Sequence, residues 1–176
     1  MTGNLILTSL MLATVGACAY TDVRHGKVRN IVTLPAVLLG LTMNTIFYGW
    51  AGLQQAAAGV GLALLLWVIT GALGGCLGAG DVKLLGAIGA LGGVTFLAAV
   101  LVVTVIAGGV MALALCLWQG KLRAALANVL QWALARMGLR PLGSSQPPTC
   151  GLTLPYALPI AAAVVLCLAR DAWRVV

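Results

Sequence analysis

From residue 82 to residue 118 the chain is apolar throughout, with Lys83 its one charged residue. As a single helix these residues would extend roughly 55 Å, at about 1.5 Å per residue. A bilayer's hydrocarbon core is only about 30 Å thick. The run is too long for one crossing, so it must fold back. Gly92-Gly93 is the best turn signal inside it. The piece before that turn is then short, little more than half a bilayer. A water-soluble fold is excluded by charge supply. Only 7% of residues are charged and 62% are apolar, against roughly a quarter charged in soluble domains. Disorder is excluded by the same composition, because it requires low hydrophobicity.

Four further apolar runs are legible, over residues 4–21, 31–48, 54–77 and 154–169. With the split run they predict an all-α, polytopic membrane protein of about six transmembrane helices, forming a single domain over 1–176. Between the fifth and sixth spans lies a segment of different character, about 119–153. Its first part, KLRAALANVLQWALARMGLR, places Lys121, Arg123, Arg136 and Arg140 around Leu122, Leu126, Val129, Leu130, Trp132 and Leu134. Apolar area flanked by basic residues predicts a cytoplasmic helix lying along the interface, held by apolar burial and anionic headgroups. A helical extension of span five is the alternative. The following PLGSSQPPTCG reads as a loop.

The basic residues orient these spans. Arg24, Lys27 and Arg29 follow span one, Lys83 follows span three, and four more follow span five, whereas the connections after spans two and four carry no charge. Eight of the ten Lys and Arg therefore fall on one side, leaving Arg170 and Arg174 opposite. The positive-inside rule puts the eight in the cytoplasm and both termini outside. Topology accounts for the net charge of +7 without nucleic acid as a partner. The lipid bilayer is the partner that composition demands. With no Lys or Arg before Arg24, the N-terminus is not expected to act as a signal peptide. The five cysteines show no CxxC spacing and suggest neither a zinc site nor a disulfide framework. His25 is the only histidine, and it reads as a solvated loop residue. No metal or other cofactor is expected.

Only three acidic residues exist, Asp22, Asp81 and Asp171. Asp22 ends span one and Asp81 follows span three, so opposite helix directions bring both to the cytoplasmic membrane face. Ionisable groups at a membrane boundary are costly unless paired or facing water. The plainer reading is that each Asp caps a helix or pairs locally, Asp22 with Arg24 and Asp81 with Lys83. The setting of Asp81 in GGCLGAGDVK favours more. Gly78 and Gly80 have no side chain, so a backbone or an extended substrate has room to approach closely. Small-residue helix packing explains Gly71, Gly74 and Gly75 well. It explains a carboxylate directly after Gly-Ala-Gly less well.

Gly78-Ala79-Gly80-Asp81 matches the GxGD motif of intramembrane aspartyl proteases. TDVRHGKVRN resembles the D-x-R-x-x-x-(hydrophobic)-x-N region of prepilin peptidases, and GDVKLLGAIGALGG and LPYALPIA also look like that family. The chain resembles the short prepilin peptidases of the Tad/Flp pilus and archaeal preflagellin type over nearly its whole length. The resemblance implies Asp22 and Asp81 as catalytic residues and a pilin-like precursor protein as substrate, cut between its basic leader and its apolar segment. Gly78, Gly80, Lys83, Asn30 and Arg24 would bind substrate or support the pair. Lys83 would orient Asp81 or a substrate carboxylate, or serve as a snorkelling anchor. Arg24 would mark topology, and Asn30 would cap span two or bond near Asp22. Longer members carry two CxxC pairs in a cytoplasmic insertion and also methylate the new N-terminus. This chain has no CxxC and only a short connection there, so the expectation is cleavage without the zinc module, with methylation left open, in the bacterial or archaeal cytoplasmic membrane that the resemblance implies.

Peptide hydrolysis needs an activated water and a proton for the leaving amine. Two nearby carboxyls supply both when they share one proton, since like charges held close do not both ionise readily. Such a pair titrates as a unit, so neither role belongs to one residue. Two other function classes use the same residues. A proton-coupled transporter would use the Asp pair as a relay, although both lie at one face and no inverted repeat is visible. A structural membrane subunit would use them for no chemistry.

Overall fold

The computed structural model describes residues 2–25, 30–72, 78–120, 122, 123, 127, 130, 134 and 157–173. Among them every regular element is helical: α1 (Thr2–His25), α2 (Asn30–Ala72), α3 (Ala79–Trp118) and α4 (Ala157–Trp173). The first three are long and apolar enough to cross a membrane, and α4 is a shorter apolar helix. Helix α1 runs on past Thr21 to His25, so the expected loop position of His25 is corrected to the last residue of a helix. Residues 122, 123, 127, 130 and 134 are helical. The remainder of the predicted interfacial segment, with Lys121, Arg136 and Arg140, lies outside the described residues. So do Lys27, Arg29, Pro155, Tyr156 and Arg174. Helix α3 stops at Trp118, and Gly120 with φ 64° turns the chain there.

Two of the helices are broken internally. Gly49 (φ 63°, ψ −145°) interrupts α2, and Gly93 (φ 78°, ψ 176°) interrupts α3. Backbone of this kind is essentially confined to glycine. The break at Gly93 falls on the turn expected from the length of the apolar run. At Gly49 the sequence suggests a loop over 49–53, whereas the chain changes direction at one residue. The contacts of the two arms show a reversal. A Cβ on Gly40 would lie 2.7 Å from the Ala90 carbonyl carbon, and one on Gly59 would lie 2.4 Å from the Gly89 oxygen. In an unbroken helix, positions 40 and 59 would be about 28 Å apart. Both instead reach adjacent residues of α3, so the arms of α2 fold back and flank the same segment. Asn44 fastens this corner. Its buried Nδ2 donates to the carbonyls of Gly40, Ala90 and Leu91 at 3.0, 2.9 and 3.2 Å.

The segment 79–92 is the centre of the bundle. Val82 and every residue from Leu84 to Leu91 are buried, and only Lys83 in that stretch is exposed. A helix apolar on all sides belongs in such a place. Its neighbours present single stripes at helical spacing: Leu7, Met11, Val15 and Cys18 on α1, and Ile160, Ala163, Val164 and Cys167 on α4. The buried stripe of α2 is made of small residues, Thr33, Ala36, Gly40 and Asn44 before the break and Gly52, Ala56, Gly59 and Ala63 after it. Its large side chains, among them Leu34, Leu38, Leu65, Trp67 and Val68, are exposed. Small inner faces and large outer ones let helices approach closely where the surrounding medium is apolar.

Candidate active site

The register of α1 on the central segment brings the two carboxylates to one end of the bundle. A Cβ on Gly92 would lie 3.0 Å from Met11 Cε, and at the other end the charge of Asp22 bears on Asp81. Both contacts are eleven residues apart on each helix, so α1 and the segment 79–92 run antiparallel. Asp22 and Asp81 are half-buried. Each sits in a terminal helical turn, one at the end of α1 and the other at the start of α3.

Local chemistry explains the placement of Asp81. Gly78 is the N-cap of α3 and has no side chain to cap it. Its carbonyl accepts from the amides of Asp81 and Val82 at 3.1 and 3.2 Å. Asp81, three residues further on, turns its carboxylate back towards the Gly78 N–H. This is the return half of a capping box, with glycine at the cap. A Cβ on Gly78 would lie 3.0 Å from Asp81 Oδ2. The missing side chain therefore leaves the carboxylate its position. Gly78 is exposed and Gly80 half-buried beside it.

Asp22 meets a different helix end. Its Oδ2 accepts from the Ala157 N–H, at the first turn of α4, at 3.4 Å. Free N–H groups at a helix start are natural partners for a carboxylate. Asp22 is thus held between α1 and α4, with Cys18 fully buried one helical turn away. Nothing in the sequence marks Ala157 or Cys18 as part of the site. The position of α4 depends on packing far along the chain, and no local signal marks it.

Of the described cations beside the site, Arg24 and Lys83 are engaged with other partners. Arg24 donates to the Tyr20 hydroxyl on its own helix, with its guanidinium carbon 5.8 Å from the Tyr20 ring centroid. Lys83 Nζ donates to Asn30 Oδ1 at 2.8 Å. The local pairs Asp22–Arg24 and Asp81–Lys83 are therefore not what the structure displays. Asn30 bonds to Lys83 on α3 rather than near Asp22. Among the described residues, no group of three His, Cys, Asp or Glu side chains is close enough to hold a metal ion. A groove of about 750 Å³ lies at the opposite end of the bundle, lined by Gly92, Phe96, Val103, Leu166, Cys167 and Arg170. It does not touch either carboxylate.

Two half-buried carboxylates from different helices thus lie at one end of the bundle, and the charge of Asp22 bears on Asp81. Residues 9–113 match the type IV leader peptidase family. The chain belongs to that family. The matched region contains Asp22, Asp81 and the glycines before Asp81, and it ends before α4. Comparison with curated proteins and with solved structures returned no match. Membership makes this a membrane-embedded protease of the leader peptidase kind, and it implies a pilin-like precursor as the general substrate class.

Proposed function

We propose that this chain is an aspartic-type endopeptidase that removes the leader from a pilin-like precursor at the cytoplasmic face of the membrane. Asp22 and Asp81 are its catalytic residues. The observation that carries the proposal is that these two half-buried carboxylates lie at one end of the bundle, where the charge of Asp22 bears on Asp81. In the proposed reaction one ionised carboxylate takes a proton from water, and the water oxygen attacks the scissile carbonyl carbon. The protonated partner donates a hydrogen bond to the carbonyl oxygen as the tetrahedral adduct forms. The adduct then breaks at the C–N bond, and a proton from the pair goes to the leaving amine. The pair holds one proton at the start and at the end.

The proposed topology follows from the two internal breaks. Each arm of α2 and each arm of α3 is a separate crossing, which with α1 and α4 gives six. The basic residues place the Asp end in the cytoplasm and both termini outside. The segment 79–92 is about 21 Å long by helical rise, shorter than the hydrocarbon core. It is sheltered by its neighbours rather than by lipid. A precursor would keep its basic leader in water, lay its apolar segment among the helices, and cross the exposed Gly78-Ala79 edge where the two meet. Gly78 and Gly80 would give that backbone room.

Co-expression with a pilin-like precursor, read as a size shift on a gel, tests the proposal. Wild type should shorten the precursor, and Asp22→Asn and Asp81→Asn should not, with insertion verified for each. A shift in either variant would remove that residue from the mechanism. Proton flux in vesicles that vanishes with the same variants would instead identify a relay.

A further inference from the structure

Asp81 and Lys83 leave the first turn of α3 in nearly opposite directions, because residues two apart on a helix do not share a face. Asp81 turns back to the Gly78 end of the helix, where the charge of Asp22 bears on it. Lys83 reaches to Asn30, the first residue of α2, at 2.8 Å. Asn30 follows Asp22 by eight residues along the chain. The Asn30–Lys83 hydrogen bond therefore ties the start of α2, the helix that follows the Asp22 end of α1 in the chain, to the turn of α3 that carries Asp81.

We propose that the Lys83–Asn30 hydrogen bond is a positioning clamp that sets the placement of Asp81 relative to Asp22. The inference rests on the reading of those two residues as the catalytic pair. Helix ends are where local opening costs least, and both carboxylates sit in terminal turns. The first turn of α3 has no side-chain cap from Gly78, so its fixation comes from Asp81 on one side and Lys83 on the other. The chemistry of the partner fits the task. A cation bonded to an amide oxygen is a charge-assisted hydrogen bond. Asn30 supplies the acceptor without adding a third negative charge beside two carboxylates. Lys83 is thereby engaged with Asn30, and among the described residues no ion pair forms with Asp81. Lys83 and Asn30 are positioning residues, acting through Asp81 and not on the peptide.

The test uses the full chain in lipid nanodiscs with a leader peptide as substrate, measuring kcat and KM separately. Lys83→Met and Asn30→Ala should each lower kcat roughly three- to tenfold, the rate equivalent of one net hydrogen bond, with KM changed by less than about twofold. The double variant should lose no more than either single one, and Lys83→Arg should keep most of the activity. Unchanged kcat in both single variants would overturn the clamp. So would losses that multiply in the double variant, or a raised KM at constant kcat, which would make Lys83 a substrate contact. Should Lys83→Met fail to insert, Asn30→Ala alone removes the acceptor and gives the same readings. Asp22→Asn and Asp81→Asn run alongside: activity in either refutes the underlying dyad, whereas inactivity in both with an indifferent Asn30→Ala refutes only the clamp.

Discussion

Replacing Gly78 with alanine separates catalysis from stability at a single atom. The backbone there is extended, with φ −67° and ψ 143°, so alanine fits it without strain. Among the described residues the new methyl would meet one side chain, the carboxylate of Asp81, at 3.0 Å. Ordinary contact begins near 3.4 Å, so the carboxylate must give way by a few tenths of an ångström. Because it is the free end of a side chain, it moves at little cost to folding. Alanine is a poorer cap than glycine, and that effect is at most about 1 kcal/mol. Catalysis is more sensitive to the same displacement. An error of about 1 Å at a reacting group costs on the order of a hundredfold, so a shift of this size should lower kcat roughly tenfold. The assay is cleavage of a leader peptide by purified protein, paired with thermal unfolding of the same preparation. The expected outcome is a clear fall in kcat with a nearly unchanged Tm. Full activity in Gly78→Ala would show that the carboxylate's present position is not the working one. A large loss of Tm would show that the glycine serves folding instead.

Other substitutions probe the frame around the site. Gly59→Val should destabilise by about 1–3 kcal/mol through overpacking, since even its Cβ would press on the Gly89 carbonyl at 2.4 Å; thermal unfolding in detergent reads the effect. Gly93→Ala should cost about 1–3 kcal/mol in the same measurement, because φ 78° with ψ 176° is foreign to a residue with a Cβ. Asn44→Leu removes the buried donor shared by Ala90 and Leu91 and should cost about 1–3 kcal/mol. A Tm equal to wild type would mean that the corner at Gly49 does not rely on it.

How much of this was legible in the sequence depends on what kind of signal each feature leaves. The reversal at Gly93 could be read because an apolar run of that length has nowhere else to go. The reversal at Gly49 could not be placed to the residue, since a single glycine in a left-handed conformation suffices and the chain spends no loop on it. The buried face of α2 was hidden for a physical reason. In an apolar medium the larger side chains face outwards, and Thr33, Ala36, Gly40, Ala56 and Gly59 make the contact. Hydrophobicity then says little about what is inside. Asn44 did leave a trace, as an amide within an apolar run, yet only the fold shows that it spans two segments. At the site, the glycines before Asp81 and the matching position of Asp22 pointed to a carboxylate pair. The bonds of Asp22 to Ala157 and of Lys83 to Asn30 join residues 135 and 53 positions apart, and no local pattern encodes them.

The central claim is that Asp22 and Asp81 act as one unit on one water. Single-turnover cleavage by Asp22→Asn, Asp81→Asn and the double variant, each verified as inserted and folded, tests it most directly. Residues that work as a unit lose nearly everything when either is removed. Each single variant should therefore be as inactive as the double one. Measurable cleavage in one single variant, or losses that multiply in the double, would contradict the account.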